Sequence, residues 1–176
     1  MTNARTVSVR GKPLTLEGNE LVLGVVAPDF MVVDQEAKEV RLSQFKNKIK
    51  VISVTPSLDT PVCDLQLRRF NNEASLLPAD VVVMNISMDL PFAITRFCTA
   101  AGIDRVKTYS DHRDASFGNA FGVLIKDLRL LARSVFILDR DNRVRYAEIV
   151  PELSNHPDYE KALQELKTLT DAVKAA

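Results

Sequence analysis

The chain has 176 residues, 46% of them hydrophobic and 26% charged, enough to bury a sizeable core and most simply one domain over residues 1–176. Its 23 basic and 23 acidic side chains cancel, so no global field recruits nucleic acid or an anionic membrane. No apolar run approaches membrane-spanning length and residues 1–6 lack the apolar core of a signal peptide, so a cytoplasmic location is expected.

The predicted elements begin with a hairpin. Thr6-Val7-Ser8-Val9 alternates, Arg10-Gly11-Lys12-Pro13 turns, and Leu14-Thr15-Leu16 alternates again. Met31-Val32-Val33 reads as a strand, and a polar turn over residues 34–38 returns the chain through Val40-Arg41-Leu42. Ser43 is placed to N-cap a short helix containing Gln44 and Phe45. Lys50-Val51-Ile52-Ser53-Val54 is short and β-branched, which predicts a buried strand.

From Val62 the period changes. Leu65, Leu67, Phe70, Ala74 and Leu77 form an apolar stripe broken by Arg68, Arg69 and Glu73, which predicts a helix stopped by Pro78-Ala79-Asp80. Residues 81–87 are a second buried strand. Pro91 opens a further helix that Gly102 ends, with Phe92, Ile94, Phe97 and Ala101 on it. Tyr109-Ser110 closes a short strand, and residues 114–121 form a brief helix before Gly122. Val135-Phe136-Ile137-Leu138 and residues 144–149 flank the turn Asp139-Arg140-Asp141-Asn142 as a hairpin. An amphipathic helix runs from Tyr159 to Val173. Strands alternating with helices, then an antiparallel pair, predict an α/β fold with a mixed sheet and helices on both faces. A thioredoxin-like arrangement with an N-terminal β-hairpin extension fits that order.

The chemistry concentrates at one junction. Thr55-Pro56-Ser57-Leu58-Asp59-Thr60-Pro61-Val62 delivers Cys63 to a first helical turn. A free cysteine is only a few per cent thiolate at neutral pH, yet the thiolate is the nucleophile. The unpaired N–H groups and dipole of a helix N-terminus favour it. Thr60 can turn its hydroxyl toward the same space, to donate or to accept. Asp64 works against the thiolate unless it points away or meets a cation, and Arg68 and Arg69 lie at the right spacing to supply one. A free cysteine is usually a small buried hydrophobe. Such a filler needs no prolines and threonine ahead of it.

Pro56-x-x-x-Thr60-x-x-Cys63 resembles the active-site signature of the peroxiredoxins, and its surroundings resemble their thiol peroxidase subfamily. Ala27-Pro28-Asp29-Phe30, Ser87-Met88-Asp89-Leu90-Pro91-Phe92-Ala93 with Arg96-Phe97-Cys98, and residues 131–139 extend the likeness over nearly the whole chain. The resemblance implies a thiol-dependent peroxidase for hydrogen peroxide and alkyl hydroperoxides that needs no cofactor. It makes Cys63 the peroxidatic nucleophile, with Thr60 orienting the peroxide and Pro56 shielding the site. Arg133 stabilises charge on the separating oxygens, although taken alone it reads as a solvated strand-end charge. Cys98 becomes the resolving cysteine of an intramolecular disulfide, although taken alone it reads as helix core beside Phe97. Two cysteines on separate helices are unsuited to the short Cα separation of a disulfide, so local unwinding of a helix end is expected. Thioredoxin as reductant and a homodimer are the further family expectations. A redox-sensing module would use the same chemistry but stop near one equivalent of peroxide.

His112 and His156 sit among polar, loop-like neighbours and read as surface histidines. Neither the cysteines nor the histidines have zinc-like spacing, and no CxxC is present. Asp139 and Asp141 need no role beyond their turn.

Overall fold

The computed structural model describes residues 5–174. Residues 1–4, which carry most of the segment read for a signal peptide, lie outside the described residues. The main sheet has seven strands, and its centre is the stretch of apolar runs. β5 (Ile49–Val54), β6 (Val81–Ser87) and β7 (Lys107–Ser110) are parallel neighbours, and β10 (Ser134–Leu138) pairs antiparallel with β5. β11 (Val144–Ile149) closes one edge, while β3 (Met31–Val33) and β4 (Glu39–Arg41) close the other. Every residue of β5 and β10 is buried.

The strands' two-residue period divides the core. Ile49, Val51, Val83, Val135 and Ile137 face one layer, packed with Leu67 and Phe70 of α1 (Pro61–Ala74), Ile94 and Cys98 of α2 (Pro91–Ala101), and Ala162 and Leu166 of α4 (Tyr159–Lys174). Ile52, Val54, Met84, Ile86, Phe136 and Leu138 face the other. There they meet Phe117 of α3 (Ser116–Ala120), Phe30 and Phe121. Phe30, Phe117, Phe121 and Phe136 stack edge-on with centroids 5.0–6.5 Å apart, apart from the tilted Phe117–Phe121 pair.

The expected hairpin is present as β1 (Thr6–Val9) and β2 (Lys12–Glu17). Arg10 and Gly11 both take positive φ, 51° and 77°, the geometry of a tight two-residue hairpin turn. The hairpin does not extend the main sheet. It builds a second, four-stranded sheet with β8 (Leu124–Ile125) and β9 (Leu130–Leu131), strands too short to leave a sequence signal.

Three readings change. The short helix over Leu42–Phe45 is a 3-10 turn capped at Arg41, and Ser43 lies inside it, bonding Asp29 instead. α1 stops at Ala74, before the proline that was read as its end. Its inner face is Cys63, Gln66, Leu67 and Phe70, whereas Leu65 is 53% exposed. A polar Gln66 buried in an apolar face is the more telling of these changes, because a buried amide must be hydrogen-bonded.

Candidate active site

The junction loop runs from the end of β5 to the N-terminus of α1. Thr55 is held to the neighbouring strand by its N–H on Ile86 O at 3.1 Å and by Asn85 Nδ2 on its hydroxyl at 3.1 Å. Pro56 is half-buried. Thr60 is the N-cap and Cys63 the third helical residue, with Pro61 in the N1 slot where its missing N–H costs nothing. No side-chain hydrogen bond caps this helix. First-turn N–H groups are thus left for another acceptor.

Cys63 is a free thiol with no exposed surface. The Thr60 hydroxyl donates to Ser57 O at 3.0 Å, so its lone pairs remain for an incoming O–H. Asp64 does not stand unpaired beside the thiol. Its carboxylate accepts from Arg68 Nε at 2.6 Å, the i+4 partner, while Arg69 turns to Glu73 and Glu160. The awkward neighbour is answered by a helical turn of its own chain.

Arg133 sits just ahead of β10 and is 2% exposed. Its Nε and Nη2 donate to Leu153 O at 3.0 and 2.9 Å, and its Nη1 donates to Gln66 Oε1 at 2.9 Å. Gln66 in turn donates to Ser53 Oγ at 2.8 Å and Val54 O at 3.2 Å. Gln66 shares the buried face of α1 with Cys63, one turn away. Three of the five guanidinium donors are spent, leaving one N–H on each Nη. No carboxylate pairs with Arg133 among the described residues. A buried cation without a counter-charge is costly, so the site is built to receive an anion.

Tyr159 links these groups. Burial pushes its hydroxyl up, the charges of Arg133 and Arg69 hold it down, and a charge on Cys63 pushes it up again. Its ring packs on Phe70 at 5.8 Å, and its hydroxyl lies 2.8 Å from His156 Nδ1. His156 is exposed, as expected. His112 is not a free surface group: it is half-buried, with Nδ1 2.8 Å from Ser110 Oγ.

Residues 23–163 match the Redoxin family. The chain belongs to that family, among the thiol peroxidases. It is similar to the thiol peroxidase of Bacillus subtilis, with 56% identity over 163 residues, 93% of this chain and 97% of the relative. A solved peroxiredoxin-like protein from Aquifex aeolicus shares 40% identity at a TM-score of 0.88, covering 94% of this chain and 98% of its own. A solved thiol peroxidase from Chromobacterium violaceum shares 25% identity at a TM-score of 0.80, covering 93% and 97%. The thioredoxin-like α/β fold expected from the element order is the fold of this redoxin.

Cys98 lies elsewhere, in the last turn of α2, and is also a free, buried thiol. Burial pushes it up, and the Thr108 hydroxyl, 3.8 Å from Sγ, partly offsets that. The structure therefore gathers Cys63, Gln66 and Arg133 at one end of the sheet, with Thr60 and Pro56 in the loop above. It leaves Cys98 on its own helix.

Two supports of this junction have no role in the sequence reading. Gln66 is signalled only as the polar residue one turn after Cys63. Asp89 stands within the 87–93 motif, but no local pattern points to its partners. Its carboxylate accepts from Ser57 Oγ at 2.9 Å, Leu58 N at 2.9 Å and Ser87 Oγ at 2.8 Å, tying the Cys63 loop to the start of α2.

Proposed function

We propose that this thiol peroxidase reduces hydrogen peroxide and alkyl hydroperoxides through Cys63 and Cys98. The Cys63 thiolate attacks one peroxide oxygen. The O–O bond breaks, the second oxygen leaves with the electron pair and takes a proton, and alcohol or water is released. Cys63 is left as a sulfenic acid. Thr60 accepts the hydrogen bond of the peroxide O–H, and the two free N–H groups of Arg133 stabilise charge on the separating oxygens. Pro56 shields the reaction from bulk water. The Cys98 thiolate then displaces hydroxide from the Cys63 sulfur, forming the disulfide and, with a proton, water. An external dithiol, thioredoxin, reduces the disulfide and becomes oxidised itself.

The observation that carries this reading is the buried Arg133, unpaired by any carboxylate among the described residues and one hydrogen-bonded side chain away from the Cys63 turn. The relatives named thiol peroxidase support the reaction class. The chain acts as a single domain, as a homodimer and in the cytoplasm. Leu90 and Phe92, 53% and 77% exposed at the start of α2, offer apolar surface for a second copy. No helix among the described residues is long and apolar enough to cross a membrane.

The test follows peroxide consumption with thioredoxin, thioredoxin reductase and NADPH. Cys63→Ser is expected to be inactive. Cys98→Ser is expected to consume one equivalent rapidly and then stop. Multiple turnover by Cys63→Ser would overturn the reading.

A further inference from the structure

The N-terminal hairpin is not paired into the main sheet, although Val7, Leu14 and Leu16 share its core, and it is hooked to the segment that holds Arg133. That segment, residues 150–154, returns from β11 across the mouth of β10, where Val150 N donates to Arg133 O at 2.9 Å. It presents Leu153 O to two donors of the guanidinium. A carbonyl in a loop is a precise acceptor only if the loop is held.

The hold comes from the hairpin. Ser8 N donates to Pro151 O at 2.7 Å and Leu153 N donates to Ser8 O at 2.8 Å, a parallel bridge on either side of Glu152. The Glu152 carboxylate collects five donors. Oε2 accepts from Ser8 Oγ at 2.8 Å and Gly11 N at 3.1 Å. Oε1 accepts from Arg10 N at 2.9 Å, from Ser154 N at 3.3 Å and from the Ser154 hydroxyl. Arg10 and Gly11 can aim both N–H groups outward because they occupy the positive-φ turn of the hairpin. These donors, Ser154 first, hold the carboxyl at about 2, so it stays ionised at any ordinary assay pH.

We propose that Glu152 is a positioning residue for Arg133, acting through Leu153 O, and that the N-terminal hairpin is the anchor of the peroxide site. The proposal rests on the reading that Arg133 acts at Cys63. When Glu152 lets go, residues 152–154 drift, Leu153 O moves, and the guanidinium loses the acceptor that orients it. Its two free N–H groups then no longer meet the separating oxygens. The attack on peroxide slows, although neither Cys63 nor Arg133 has been changed.

A double-mutant cycle on single-turnover oxidation of the reduced full chain by cumene hydroperoxide tests this. Glu152→Ala is expected to slow oxidation about tenfold, since small misplacements of catalytic groups carry large rate costs. In an Arg133→Ala background the same change is expected to add no further loss. Glu152→Gln keeps a carbonyl oxygen for the turn N–H groups and is expected to recover most of the rate. A merely structural role would instead multiply with Arg133→Ala. Should Glu152→Ala not fold, Ser8→Ala removes one bond of the clamp and enters the same cycle, with a loss of about twofold to threefold expected. Wild-type oxidation by the folded clamp variant, or independent losses in the cycle, would overturn the proposal while leaving the Arg133 reading intact. Wild-type oxidation by Arg133→Ala would overturn that reading and this proposal with it.

Discussion

A buried guanidinium is tolerated only when its donors are placed, and Arg133 spends three of them on Leu153 O and Gln66 Oε1. Both acceptors are neutral, so the charge is left for whatever enters the site. The same economy governs Asp111, which is 2% exposed and caps α3 by accepting from Phe117 N at 3.0 Å and Gly118 N at 2.8 Å. Burial outweighs these bonds and raises its carboxyl from 3.8 to about 6. The native state therefore holds this proton more tightly than the unfolded chain does. The contribution is full below the unfolded value of 3.8 and is lost as pH rises through about 6. We expect wild type to gain about 2–3 kcal/mol relative to Asp111→Asn between pH 7 and pH 4, measured by denaturant unfolding at each pH. An unchanged difference would show that Asp111 does not titrate in that window.

At the scale of elements, the two cysteine helices are joined at both ends. Asp89 binds the loop before α1 to the segment before α2. Farther along, Arg68 Nη1 donates to Ala101 O at 3.0 Å, and Asn71 Oδ1 accepts from the backbone N–H groups of Asp104, Arg105 and Val106. Asp89→Ala orphans Ser57 Oγ and Leu58 N and frees the Ser57 carbonyl that orients Thr60. A loss of about 1–3 kcal/mol in stability is expected, together with slower oxidation of Cys63, read by thermal unfolding and by single-turnover peroxide reduction. Wild-type values for both would remove Asp89 from the site's support. Element boundaries were legible at some local signals and not at others: Pro78 lies four residues beyond the end of α1, and Ser43 lies inside the short helix it was expected to cap. Pro91 and Gly102 bound α2 as read, with Gly102 at φ 67° donating to Cys98 O, and residues 81–87 form β6 as read. The two-residue strands β8 and β9 carried no such signal, because each is fixed by pairing rather than by its own pattern: β8 lies against β2 of the hairpin, and β9 against β8.

For the molecule as a whole, the proposed Cys63–Cys98 disulfide would require a conformational change. Cys63 stands in the first turn of α1 and Cys98 in the last turn of α2, and both thiols are buried. Both elements pack into the same core layer through Leu67, Phe70 and Ile94, so shifting a whole helix would disrupt that layer. Local opening of the helix ends is far cheaper than moving the helices. On oxidation, hydrogen exchange is expected to rise about tenfold or more at residues 60–64 and 96–102, and to stay unchanged in β5, β6 and β10. Equally slow exchange in both forms would exclude unwinding as the route.

The sequence by itself determined the longer elements, the fold class and the junction that carries Cys63, because periodicity, proline and glycine act over a few residues. It also marked Arg133 and Cys98, through likeness to a family. Only the tertiary structure decided what surrounds them. Gln66 is the bridge to Arg133, and Leu153 O is its second anchor. Those partners lie 67 and 20 positions from Arg133, and a hydrogen bond between them exists only after the sheet has brought its strand ends together.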